Sequence, residues 1–137
     1  MRRRTFLIAL SLPAAARAAP STDMLDFVSA IAGDLADNDL RDFLKHVDPA
    51  MPGYAILKDD VETLLSAKDV ESEIEMISEE GDQRKRSLEL DWVLITRDKE
   101  VINGRQVTQR VRVKCSVTRQ AKTWTLTNFD PIRLFKL

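Results

Sequence analysis

Two rhythms of apolar residues run along the chain, and the change between them falls near Lys68. Before that point the spacing is helical. Met24, Phe27, Val28, Ile31 and Leu35 recur at intervals of three and four, a single stripe on one helix face. Ser21, Thr22 and Asp23 precede it as N-cap candidates, with acid in the first turn where the helix dipole favours it. Gly33 weakens this helix, and Asp37-Asn38-Asp39 interrupts it and caps a shorter stripe of Leu40, Phe43, Leu44 and Val47. Lys45 and His46 fall in the last turn of that second helix. Pro49 and Pro52-Gly53 impose a loop. Leu57, Val61, Leu64 and Leu65 then mark a third helix, entered through Asp59 and Asp60.

After Lys68 the period drops to two. Strands are predicted near 70–79, 84–97, 105–118 and 123–130, separated by Glu80-Gly81-Asp82, Asn103-Gly104 and Arg119-Gln120-Ala121-Lys122. Alternation gives each strand an apolar face: Ile74 and Met76; Leu88, Leu90, Trp92 and Leu94; Val107, Val111, Val113, Cys115 and Val117; Trp124 and Leu126. The opposite face carries Glu71, Glu73 and Glu75; Glu89 and Asp91; Arg110, Arg112 and Lys114; Thr123, Thr125 and Thr127. With Asn103-Gly104 as a two-residue turn, Trp92 faces Cys115. With Gln120-Ala121 turning the next hairpin, Cys115 faces Leu126 and Val117 faces Trp124. The expected fold is α+β: three N-terminal helices packed on one face of a curved four-stranded antiparallel meander.

Charge and composition narrow the partners. The 137 residues hold 21 Lys and Arg against 22 Asp and Glu, with one His and one Cys. A single Cys excludes an intrachain disulfide or a Cys-rich zinc site, and a single His excludes a multi-His metal site. Arg2, Arg3 and Arg4, an apolar run from Thr5 to Leu12, and Ala16-Arg17-Ala18 have the tripartite form of a cleavable export signal over 1–18. The apolar run, roughly eight residues, is too short for the ~20 that a membrane span needs. Arg3-Arg4-Thr5-Phe6-Leu7 is similar to a bacterial twin-arginine signal. Cleavage leaves a single domain, 19–137, in a periplasmic or extracellular setting. It removes four arginines and no acid, so 17 basic residues face 22 acidic ones. That balance disfavours nucleic acid as a partner.

Certain stretches carry a family likeness. Phe43-Leu44, Asp48-Pro49-Ala50-Met51-Pro52-Gly53-Tyr54 and Leu57, then Leu90-Asp91-Trp92-Val93-Leu94, then Asp130-Pro131-Ile132 after Trp124, resemble the nuclear transport factor 2-like superfamily. The resemblance covers nearly all of 19–137. It implies a cone whose mouth can hold an apolar ligand. Such proteins include isomerases, dehydratases and non-catalytic carriers and adaptors, and many form dimers, so the likeness does not choose an activity.

Catalysis in such a cone needs an acid–base pair facing inward. The predicted inner face offers Ser72, Arg86, Thr96, Gln109 and Asn128, and no acid. Asp91 points outward unless a bulge in the second strand turns it in. His46 is the only imidazole, and Tyr54 places a phenol near the mouth. These three are the weak catalytic candidates. Tyr54, Trp92, Trp124, Asn128 and Gln109 are the expected cavity lining. Cys115 is expected to be packed and inert. No phosphate loop, dinucleotide fingerprint or zinc-hydrolase motif occurs, so no cofactor and no metal is expected. The reading is an exported, non-catalytic domain that binds a small apolar ligand or a partner. The alternatives are a lyase or isomerase with its site in the cone, and a homodimeric scaffold.

Overall fold

The computed structural model describes residues 21–137. The export signal read at 1–18 lies outside the described residues. Three helices, α1 (Thr22–Ala36), α2 (Leu40–Leu44) and α3 (Tyr54–Ala67), precede four strands, β1 (Lys68–Gly81), β2 (Lys85–Asp98), β3 (Gln106–Gln120) and β4 (Thr123–Asp130). The strands form one antiparallel sheet in the order β1-β2-β3-β4, as the alternation predicts. Among the described residues, no helix is long and apolar enough to cross a membrane.

The helix stripes become the helix side of the core. Ser21 caps α1, its hydroxyl accepting from the Met24 amide at 3.3 Å, and the whole stripe from Met24 to Leu35 is buried. Asp39 caps α2 by accepting from the Asp42 amide at 3.0 Å. That helix ends at Leu44, earlier than predicted, because the following residues are taken up by the sheet. Leu126 donates to the His46 carbonyl at 2.7 Å and accepts from the Asp48 amide at 2.9 Å, which ties Val47 alongside β4. The third helix begins at Tyr54 rather than at Asp59. Gly53 starts it at φ 80°, and a Cβ there would lie 2.7 Å from Ile132 Cγ1, so the position requires glycine. Asp60 sits one turn and more inside α3 and holds Arg133 through two hydrogen bonds, 2.8 and 3.2 Å.

Both predicted hairpin registers shift, by even numbers of residues. Trp92 pairs with Val111 and Cys115 with Leu88, four residues from the two-residue Asn-Gly alignment. The connection is a longer loop in which Asn103 has φ 59° and the Gly104 amide donates to Val101 O. Charge pairing explains the preference: this register sets Glu89 opposite Lys114 and Asp91 opposite Arg112, pairs the shorter loop would separate. In the next hairpin Val117 faces Leu126 and Arg119 faces Trp124, with Ala121 at φ 57° in the turn. An even shift leaves every side chain on its predicted face.

Two β-bulges do change faces. In β1 the register steps between Met76 and Ser78, passing over Ile77, so that Glu79 falls opposite the buried Leu88 on the inner side. In β4 the step opposite Ser116 and Val117 passes over Thr127, turning Phe129 inward and Asn128 outward. The inner face therefore does contain an acid. Glu79 Oε2 lies 2.9 Å from Arg86 Nη1, in a pair that is largely buried. Ser21 reinforces it, its amide and hydroxyl each donating to Glu79 at 2.9 Å while its Oγ also accepts from Arg86. One network thus joins the N-terminus of α1 to β1 and β2.

The C-terminal tail completes the core. After β4 the chain passes a cis Asp130–Pro131 bond and buries Leu134 and Phe135. Phe135 packs edge-on to Trp92 (5.6 Å) and Phe43 (6.0 Å) and stacks on Phe129 at 5.9 Å.

Removing one member of a largely buried ion pair leaves the other charge uncompensated. Glu79→Ala is therefore expected to destabilise the fold by about 3 kcal/mol. Urea denaturation measures this. A loss in the range of an exposed pair, about 0–1 kcal/mol, would show that the network is not a structural joint.

Candidate functional site

The interior of the cone is packed rather than hollow. Trp92, 1% exposed, fills its centre, donating from Nε1 to Ser72 Oγ at 3.2 Å and meeting Phe129 edge-on at 5.9 Å. The remaining void between α1 and the sheet has a volume of about 10 Å³, bounded by Phe27, Ile31, Leu90, Trp92, Leu126 and Phe129 among others. That is close to the limit for one water molecule, and the walls are apolar. Cys115 also borders it, and burial pushes its thiol up to about 12, so it stays protonated and non-nucleophilic at neutral pH.

The expected cavity residues disperse. Trp92 is a core anchor. Trp124 lies at the far end of the inner face, with the Arg86 guanidinium 4.7 Å and that of Arg119 5.9 Å from its ring centre. Arg119 Nε is buried there without a hydrogen-bond partner among the described residues. Tyr54 opens α3 and lies half-buried against the core. Gln109, opposite Leu94, is exposed on a stretch of β3 that has left the core. Asn128 was expected inside, and the Thr127 bulge places it on the outer face instead.

None of the cavities described among residues 21–137 is lined by a weak catalytic candidate. Asp91 stays on the outer face, 3.6 Å from Arg110, and β2 has no bulge to turn it. His46 lies on the helix side, its Nε2 2.9 Å from Asp34 Oδ2 and its ring edge-on to Phe27 at 5.6 Å. Asp34 was not foreseen as its partner. The signal lay in the break at 37–39, which folds the second helix back beside the end of α1. This carboxylate–imidazole pair does not border the interior void, where Phe27 stands in its place.

A much larger concavity lies on the other side of the sheet. A cleft of about 380 Å³ opens on the outer face where both bulges occur. Two cross-strand rows form its floor, Ser78–Glu89–Lys114–Asp130 and Glu80–Ser87–Ser116–Asn128. Short side chains over the middle strands leave the space, and the longer flanking ones give it walls. Ser78 and Asn128 belong to this floor only because of the bulges, since uninterrupted alternation would point both inward. Above it, Glu73 and Arg110 flank Val93, and Glu75 and Arg112 flank Asp91. An acidic β1 and a basic β3 thus run either side of β2, and Arg112 of β3 reaches Glu89 of β2 at 2.6 Å. Among the described residues, no group of His, Cys, Asp and Glu is arranged to hold a metal ion.

No protein-family model matches the sequence, and no curated protein matches it. Solved structures do match its shape. A conserved protein from Planctomyces limnophilus DSM 3776 superposes with a TM-score of 0.69 at 8% identity, over 77% of this chain and 89% of that one. A proposed dehydratase of the NTF2-like family from Streptomyces avermitilis gives 0.63 at 9% identity, over 77% and 90%. A proposed calcium/calmodulin dependent protein kinase II association domain from Xanthomonas campestris gives 0.63 at 13%, over 88% and 89%. The fold is that of the NTF2-like proteins.

Proposed function

We propose that this chain is an exported, non-catalytic binding domain that works from the outer face of its sheet rather than from the cone. One contrast carries this reading: the interior retains about 10 Å³, whereas the outer cleft offers about 380 Å³, within the size range of small-molecule sites. The apolar-ligand version of the sequence reading has no room in the packed interior. Asp91 on the outer face and His46 on the helix side lie on opposite sides of the sheet, which supports the non-catalytic part, because an acid and a base must reach the same proton. Export rests on the sequence of residues 1–18 alone. Mass spectrometry of protein recovered from the periplasm of an expressing bacterium should give a chain starting at Ala19. Recovery of the intact chain only from the cytoplasm would refute export.

The binding surface is read by mapping small-molecule fragments on backbone amides by NMR. Perturbations are expected on the outward residues of β1–β4. A lipophilic fragment that instead moved the resonances around Trp92 and Leu126 would show an opening cone and overturn the outer-face reading.

The charge pattern favours a second copy as an additional partner. A two-fold axis running along β2 keeps each residue at its level while exchanging β1 for β3. Glu73 then meets the Arg110 of the other copy, and Glu75 its Arg112, around a centre of Val93 and Ile95. The neighbour described as an association domain is consistent with this use of the fold. The contact centre at Val93 and the cleft floor at Ser87 are six residues apart, roughly 20 Å along the strand, so one face accommodates both. Exposed ion pairs contribute about 0–1 kcal/mol each and are screened by salt. Light scattering should therefore show a dimer at low ionic strength that dissociates at high salt. Arg110→Glu with Arg112→Glu should abolish it, and adding Glu73→Lys with Glu75→Lys should restore it. A monomer at every salt concentration removes this reading.

A further inference from the structure

We infer that the outer-face cleft is a site for a neutral polyhydroxylated small molecule of the saccharide class. The inference rests on the outer-face reading and adds the ligand's chemistry to it. Its first support is the way the site is built. β1 and β4 each carry a bulge at the level of the cleft, and each bulge turns a small polar side chain, Ser78 or Asn128, out of the core and onto the floor. Bulges commonly re-aim side chains beside functional sites. Here two of them, on opposite edges of the sheet, serve the same concavity.

The second support is the set of groups presented. Ser78, Ser87 and Ser116 offer hydroxyls that both donate and accept, and Asn128 offers an amide with both functions. No hydrogen bond joins these four side chains to another described residue, so their capacity is available to a ligand. Carboxylates at the edges, Glu80 and Asp130, can each accept from two adjacent hydroxyls, while Lys114 donates from the middle of the floor. A molecule with alternating hydroxyl donors and acceptors matches this lining. The four strands span roughly 14 Å, enough for a monosaccharide or a disaccharide laid across them.

Charge decides against the obvious rivals. Arg112 holds Glu89 at 2.6 Å, and Lys114 lies between Glu89 and Asp130 in the cross-strand row. A cation would compete with Lys114 for the acids already beside it. An anion would meet Glu80 and Asp130 at the rim. A neutral ligand incurs neither cost, and it gains from hydroxyls and an amide without displacing an ion pair.

The test is an NMR titration of the protein with glucose, N-acetylglucosamine and myo-inositol, alongside spermidine and citrate as charged probes. A neutral polyol is expected to shift the amides of Ser87, Ser116 and Asn128 with a dissociation constant of about 1 mM. Asn128→Ala should weaken that response by about tenfold. Ser116→Tyr, which fills the cleft from a solvent-facing position, should abolish it while amides of α1 and α3 keep their positions. The inference is overturned when no polyol moves the cleft amides, or when the response survives Ser116→Tyr. Movement of those amides by spermidine or citrate alone would reject the saccharide class and leave the outer-face site standing. Movement only around Trp92 and Leu126 would reject both.

Discussion

Side-chain parity governs this molecule. Along a strand, consecutive residues alternate between the core and the solvent, so a single extra residue in the register exchanges the two sets for everything beyond it. That exchange happens once in β1, at Ile77, and once in β4, at Thr127. Glu79 is thereby brought inward to meet Arg86 and the capping Ser21, which couples α1 to the sheet. Phe129 is brought inward to stack on Phe135, which holds the C-terminal tail. Ser78 and Asn128 are sent outward in exchange. The same two irregularities close the inside and open the outside.

The packing of the interior follows from that arrangement. Trp92 alone would leave space around its indole in a cone of this shape. Phe129 from the β4 bulge and Phe135 from the tail occupy that space, with Phe43 behind them. Four aromatic rings in edge-on and stacked contact are worth more than their buried area alone. They favour a filled core over a ligand cavity. The His46–Asp34 pair stands outside this core and joins α1 to the segment after α2. Its place suits a structural hydrogen bond between layers.

With the inside filled, the outer face is the surface proposed for recognition. Its groups are arranged by cross-strand pairing: acids on β1, bases on β3, and serines over the middle strands near the bulges. Rows at one level offer charge complementarity, and rows at the next offer hydroxyls and an amide. The separation along β2 keeps these surfaces distinct. Fold likeness to proteins as different as a proposed dehydratase and a proposed association domain assigns neither role, because function lies in the site rather than the scaffold.

Most of the architecture was legible from residue order. Helical stripes such as Met24 to Leu35, the switch of period at Lys68, and the two faces of β2 and β3 all depend on local geometry, which each stretch carries within itself. Hence the helices, the four-stranded meander and the outward Asp91 could be read directly. The even register shifts did no harm for the same reason. Neither bulge was legible. An extra residue in a strand leaves no mark in its own composition, since Ile77 and Thr127 are ordinary strand residues. Only the partner strand, by pairing Glu79 with Leu88 and Asn128 with Ser116, selects which residue is passed over. The buried acid, the filled cone and the polar cleft are therefore consequences of strand-to-strand pairing. Periodicity by itself determined the fold class and the two faces; tertiary contact decided which residues occupy each face at the bulged ends of β1 and β4, where the candidate site lies.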